Sequence, residues 1–293
     1  MGPDGKLQTR RAAVDSAGGR ARRGSQRRRR MGLDLDEVIA DWNPPEDEVA
    51  ARLITGRDGR EQVQLRVDLG LLQMAADGRP DGGDYQGLPT ALEYIQHELA
   101  VGGQLRAEDW HALLRELEHF NFRRVGLTAL VESAWQAGQQ ESAWTHAERT
   151  LRDVQHCLRA LGLIDQQGLP GMETNPALRP TLLFQRTQLL VRLRASQKRH
   201  EEAIEELEAG IDALDQTLAD AGVDPEQREQ DPAIRYLREL SPKLRERFGV
   251  PRTLREELAD AIEREDFEKA ATLRDALRRR PQETSTPPPP QAS

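Results

Sequence analysis

Residues 253–280, TLREELADAIEREDFEKAATLRDALRRR, constrain the fold more than any other stretch of the chain. Leu254, Leu258 and Ile262 recur at i, i+4 and i+8, the spacing of one helix face. Thr253 followed by Glu256 has the form of a capping box, with Pro251 just before it. The polar run Glu263 to Asp266 can turn the chain, and Asp266 can cap a second helix. That second helix carries Phe267, Ala270, Leu273 and Leu277 on one side. Two short amphipathic helices joined by a tight turn make an αα-hairpin. Helices this short are marginal alone, so their apolar stripes need either the rest of the chain or a partner to lie against.

The segment before the hairpin is also helical in pattern. Leu88, Leu92, Ile95 and Leu99 form a stripe, with Pro89 as a first helical residue and Gly102-Gly103 as the stop. From Ala107, one side carries Trp110, Leu113, Leu114, Leu117 and Phe120; a break is expected near Asn121, after which Phe122, Val125, Leu130, Val131 and Trp135 continue to Gly138. Residues 141–161 read as an amphipathic helix through Trp144, Ala147, Leu151, Val154, Leu158 and Leu161, followed by a loop over 165–176. Helices follow at 177–196 and 200–219, the first with an apolar face wide enough to need neighbours on more than one side. In 220–250, Pro225 and Pro232 interrupt the chain, and Tyr236, Leu237, Leu240 and Leu244 are expected to face inward.

Three junctions share a signature: Gln140-Glu141-Ser142-Ala143, His200-Glu201-Glu202-Ala203 and Phe267-Glu268-Lys269-Ala270. Each puts a small Ala where two helices can approach closely, which resembles the second-helix start of tetratricopeptide repeats. The intervals of 60 and 67 residues are not a constant repeat. The expected fold is mainly α: an irregular array of antiparallel helix pairs with a C-terminal αα-hairpin and at most a very short strand pair near the N-terminus. An irregular bundle remains the alternative to an array with a concave binding face.

Residues 31–88 are read as an acidic leader and a small cap. Leu33 to Glu48 holds seven acidic residues and no basic one, and Leu35, Val38, Ile39 and Trp42 can form a short apolar face ended by Pro44-Pro45. This is either a short docking helix or a charged surface leader. Val63, Leu65, Val67, Leu69 and Leu71 alternate as in a strand, and Gly56 to Gly59 suits a hairpin turn. Leu65, Leu69, Leu72 and Met74 also fit a helix. The reading preferred here is a strand near 52–55 and a helix over about 62–76. Residues 77–84 are dense in turn formers, and their acid spacing is not that of a calcium loop.

The formal net charge of −8 is unevenly spread. Residues 1–30 hold nine Arg and one Lys against two Asp, so the remainder carries −16. The first thirty residues lack the apolar run of a signal peptide and are expected to be a disordered basic arm. Two readings of this arm stand side by side: a basic arm that touches nucleic acid, or, preferred, the translation of a purine-rich ribosome-binding sequence, which yields such Arg and Gly and puts the native start at Met31 instead of Met1. The tail 281–293, with four consecutive prolines, is expected to be disordered. Between these ends, residues 89–222 form the helical body, 223–250 a bridge and 251–280 the hairpin. No apolar run is long enough for a membrane span, and one cysteine, Cys157, excludes an internal disulfide and suits a reducing cytoplasm.

Leu258, Ala261-Ile262, the run Glu265 to Ala271 and Leu273-Arg274-Asp275 resemble the UVR motif. That motif is shared by the B and C subunits of bacterial excision repair, the activator of a protein-arginine kinase and some Clp ATPases. The resemblance covers about one tenth of the chain. It implies that the hairpin pairs with another hairpin or helical surface, in another protein or its own copy. It further implies that Phe267, Ala270, Ala271 and Leu273 form the packed seam; Leu258, Ile262 and Leu277 on the apolar stripes are expected to join them in binding a protein. Arg274 and Asp275 would supply a local ion pair or bond a partner.

Residues that would carry chemistry are not assembled in recognisable motifs. There is no phosphate-binding Gly-rich loop ending in Lys-Ser/Thr, no dinucleotide fingerprint and no H-E-x-x-H; His97-Glu98 lacks the histidine at 101. Cys157 and His156 are adjacent on a helix and point about 100° apart, so Cys157 is read as core packing. One cysteine cannot build the paired CxxC sites of the arginine-kinase activator. The resemblance therefore carries a docking module without an activity. The expected function is a non-enzymatic adaptor of a bacterial cytoplasm, with no cofactor, no metal and no membrane contact. One alternative is an accessory of nucleotide excision repair that touches nucleic acid through Arg278, Arg279 and Arg280. Another is an enzyme of unrecognised type.

Overall fold

A computed structural model describes residues 35–40, 42, 49–68, 70–168, 171–172 and 174–279. The basic arm 1–30, the start at Met31, the stop at Pro44-Pro45, the tail 281–293 and Arg280 lie outside the described residues. The chain divides into two units, Met1–Asn43 and Pro44–Ser293. In the first, helix α1 spans Leu35–Ile39, and the Trp42 amide closes it by donating to the Ile39 carbonyl at 2.8 Å.

The second unit opens with an antiparallel meander of β1 (Ala51–Thr55), β2 (Glu61–Val67) and β3 (Gly70–Ala75), in spatial order β1-β2-β3. The helix preferred over 62–76 is thus replaced by two strands, and the expected strand pair by three strands. Alternation decides the outcome once a covering surface exists. Val63 and Leu65 are buried on one face, while Gln64 between them joins a polar ladder on the other. In that ladder Arg52 Nε donates to Gln64 Oε1 at 2.7 Å, and Gln64 Nε2 donates to Gln73 Oε1 at 2.7 Å, across paired positions of all three strands. The covering surface is α3 (Ala107–Gln136), where Gly126 admits the sheet: a Cβ there would lie 3.0 Å from Val63 Cγ1. Val63, Ala76 and Leu127 close this small core with Leu53 and Leu130.

The other helices are α2 (Ala91–Val101), α4 (Gln140–Gln167), α5 (Leu178–Ser196), α6 (His200–Asp220), α7 (Pro225–Gln230), α8 (Pro232–Phe248), α9 (Leu254–Glu263) and α10 (Phe267–Arg279). They pack largely in chain order: α2 on α3, α3 on α4, α4 on α5, α5 on α6, α6 on α8, and α9 on α10. One core joins α2, α3 and α4 through Leu92, Ile95, Leu113, Leu117, Phe120, Val154 and Leu161. A second joins α5, α6 and α8 through Val191, Leu207, Leu214, Ile234 and Leu237. Helices α5 and α6 approach so closely that a Cβ on Gly210 would stand 2.1 Å from Thr187 Oγ1.

Several boundaries differ from the sequence reading. Pro89 precedes α2, and Thr90 is the N-cap, its Oγ1 accepting from the Glu93 amide at 3.1 Å. Helix α3 runs unbroken through Asn121, whose Oδ1 accepts from Arg124 one turn on and so does not compete for the backbone. Helix α4 continues past Gly162 because Leu163 and Ile164 beyond it are buried. Tyr236 stands half-exposed; the buried stripe of α8 is Ile234, Leu237, Ser241 and Leu244, and Tyr236 is rotated away from it.

The three junctions singled out in the sequence share one backbone turn. Gly138, Lys198 and Glu265 are left-handed, with φ of 71°, 60° and 59°. The following amides of Gln139, Arg199 and Asp266 donate back to the carbonyls of Ala134, Arg194 and Ala261 at 2.8, 2.9 and 2.8 Å. This is the 6→1 bond of a Schellman turn, used identically in α3–α4, α5–α6 and α9–α10. The next helix begins at once, and Ala143, Ala203 and Ala270 are all buried where it meets its partner.

Candidate functional site

The hairpin is built from its caps inward. Thr253 Oγ1 accepts from the Glu256 amide at 3.2 Å, and the Thr253 amide donates to Glu256 Oε2 at 2.7 Å, which completes the capping box. Asp266 Oδ1 accepts from the Lys269 amide at 3.1 Å at the start of α10. Ala261, Ala270 and Leu273 are buried between the two helices, with Leu254 and Leu258 packed beside them. This seam is separate from the cores of the body.

The turn end of the hairpin is different. Ile262, in the last turn of α9, is 57% exposed, and Phe267, the first residue of α10, is 71% exposed. No other described large apolar side chain except Val101 exceeds Ile262, and none matches Phe267. The opposite end of α9 is fastened to the body by charge. Arg245 of α8 bridges Glu256 at 2.7 Å and Glu208 of α6 at 3.2 Å; Arg255 pairs with Glu205 at 3.2 Å, and the Leu254 amide donates to Glu201. The Arg245 hydrogen bond, helped by the Thr253 amide, outweighs partial burial and holds the Glu256 carboxyl below its ordinary range.

Residues 252–279 match the family model described as UvrB/uvrC motif, UVR. The match covers the two helices of this UVR hairpin together with Arg252, Thr253 and the turn between them. No curated protein and no solved structure matches the chain.

Within the UVR hairpin, Ala270 and Leu273 lie in the seam, Ala271, Leu258 and Leu277 are half-buried, and Phe267 and Ile262 stand outside it. Arg274 and Asp275 are exposed and form a local pair at 3.7 Å. Arg278 and Arg279 are exposed in the last turn of α10, where cations complement the carbonyl end of the helix.

Two arrangements escaped the sequence reading. The first is a buried polar cluster. Glu116 accepts from the amides of Ala91 and Leu92 at 2.8 and 3.2 Å, contacts His156 Nε2 at 3.1 Å and lies 3.3 Å from Arg79 Nε. Next to it, Arg123 forms a two-pronged pair with Asp153, both distances 2.7 Å, and donates to the carbonyls of Ala75 and Gly78. Arg149 and Arg152 grip Asp77; burial raises its pKa, but these two cations outweigh burial and lower it overall. Glu116, Arg123 and Asp153 are sealed from solvent, Asp77 and Arg152 stand at the exposed edge, and together they fasten the loop 76–90 to α3 and α4, so the cluster reads as a clamp. Among the described residues no group of three His, Cys, Asp or Glu side chains is placed to hold a metal ion, and no helix is long and apolar enough to cross a membrane. Cys157 is fully buried, and burial with the nearby Asp153 charge pushes its thiol up to about 12.

The second is an apolar groove of about 730 Å³ between α5 and α8, reaching the α3–α4 corner, with Trp135, Trp144, Tyr236 and Phe248 on its walls. Tyr236 is the signal that could have found it, since it falls off the buried stripe of α8 and yet is aromatic.

Proposed function

We propose that the protein is a non-enzymatic adaptor that engages another protein, or its own copy, through the turn end of the UVR hairpin. One observation carries this reading. The seam closes on Ala261, Ala270 and Leu273 without Phe267 or Ile262, which leaves a large aromatic and a branched aliphatic side chain in water, one on each side of the turn in the chain. Burying such a side chain contributes about 1.5–3 kcal/mol, which is stabilisation that a partner would supply. The resemblance to the UvrB/uvrC motif supports a docking role for this surface. The test is co-purification of the full chain, wild type against Phe267→Asp, with partner identification by mass spectrometry and circular dichroism to verify folding. Loss of the partner with Phe267→Asp is expected; equal recovery overturns the assignment.

A second reading, a DNA-repair accessory, rests on the exposed Arg278 and Arg279 beyond Arg274 at one end of α10. It predicts binding to branched or damaged DNA that weakens steeply with salt. Absence of binding at low salt removes it.

A further inference from the structure

The groove between α5 and α8 is independent of the hairpin and is built differently from the rest of the surface. Its floor is apolar, and its aromatic walls are held in place. Trp135 and Trp144 meet edge to face at 5.9 Å, and Phe248 stacks on His200 at 4.3 Å. Tyr236 is fixed against Phe184 at 5.8 Å yet remains half-exposed on the groove side. The volume of about 730 Å³ accommodates several side chains.

The charges are all of one sign. The charged groups on the lining are Arg192 and Arg247, with His200 beside them, and no carboxylate lines it. Arg192 lies over the Trp135 ring at 4.6 Å, and neither arginine is ion-paired among the described residues. This is a cationic, aromatic groove on a chain whose net charge is −8, where most other arginines of the body are matched to acids. Both guanidinia are exposed at the rim of the groove, where a carboxylate of a bound segment can reach them while its apolar neighbours enter the groove.

We propose that this groove docks a segment of a partner protein in which aromatic or branched apolar side chains stand next to Asp or Glu. Apolar anchors fill the space between Tyr236 and the Trp135–Trp144 corner, and the carboxylates meet Arg192 and Arg247. Aromatic rings with arginines also serve single-stranded nucleic acid, but such sites track the phosphate chain with a run of cations. Two arginines do not make such a run, and two carboxylates match them in number, which favours the acidic peptide.

The experiment is selection of random 16-residue peptides displayed on phage against the full-length protein, followed by fluorescence anisotropy of the selected peptides made synthetically. The expected peptides pair an aromatic or branched residue with two or more carboxylates. Their affinity should fall more than tenfold with Arg192→Glu plus Arg247→Glu, and with Tyr236→Ala, in variants whose thermal melts match wild type. Peptides in which Glu is replaced by Lys should regain binding to the doubly reversed variant. Phe267→Asp should leave binding unchanged, so failure here is distinguishable from failure of the hairpin reading. Selected peptides without acidic enrichment, equal binding to the reversed variant, or a dT20 oligonucleotide bound more tightly through the same residues would each overturn the proposal.

Discussion

Leu273→Ala should open the UVR hairpin without opening the body. Leu273 is 8% exposed and is the one large side chain fully enclosed in the seam, since Ala261 and Ala270 are small and Leu254 and Leu258 are half-buried. Truncating a buried Leu costs about 2–5 kcal/mol, with the lower part of that range apt for a two-helix seam that can partly collapse. A loss of about 3 kcal/mol corresponds to roughly 100-fold in an opening equilibrium. The helices have 10 and 13 residues and hold little stability of their own. Hydrogen exchange read by mass spectrometry should therefore speed up by about that factor in residues 254–279, while α3 and α4, joined by an extensive core, are unchanged. Phe267→Ala is the matched control. With the residue 71% exposed, removal of its ring should change exchange by about twofold at most while weakening partner capture. Two results would refute this: Phe267→Ala loosening the hairpin as much as Leu273→Ala, or Leu273→Ala accelerating exchange in α3 and α4 equally.

Other consequences can be measured on the same protein. Asp153→Ala strands the Arg123 guanidinium in the interior, and chemical denaturation should show a loss of about 3–5 kcal/mol. Gly210→Ala forces a methyl into Thr187 and should cost about 1–3 kcal/mol, seen as a lowered melting temperature; an unchanged melt would mean that α5 and α6 do not approach as described. Cys157 should resist a thiol reagent such as DTNB at pH 8 and react fully only in denaturant, because its raised pKa of about 12 and complete burial keep it protonated and shielded. Acidification should release α9 from α8: the depressed Glu256 pKa means that its stabilising contribution is complete above the ordinary glutamate value of 4.5 and is lost as pH falls through the lower folded value, which exchange of the residues around 251–258 would follow.

The helices were legible wherever an apolar residue recurred every three or four positions, as in α4 and α6. The sheet was not, because residues 62–76 satisfy both periods. The strands win through α3, a surface more than fifty residues away whose Gly126 receives them. The polar clamp was hidden by the same habit of reading. Glu116 and Arg123 fall at the spacing of Leu113, Phe120 and Leu127 on the buried side of α3, so two charges occupy positions that a periodic pattern assigns to apolar residues. The hairpin was legible in its caps and its seam. That Phe267 stays outside followed from geometry the pattern lacked: as the first residue after the Glu265 turn it precedes the point at which α10 meets α9. Lys198 and Glu265 carried no glycine signal for the left-handed turns they form, whereas Gly138 did.

The way α9 is joined to its neighbours gives ionic strength a selective effect. Added electrolyte screens the pairs of Arg245 and Arg255 with Glu256, Glu208 and Glu205, while contact among Ala261, Ala270 and Leu273 is indifferent to it or tightened by it. Rising salt should therefore let the last two helices swing on their stem as one intact piece, changing where the Phe267 end points without changing what it presents.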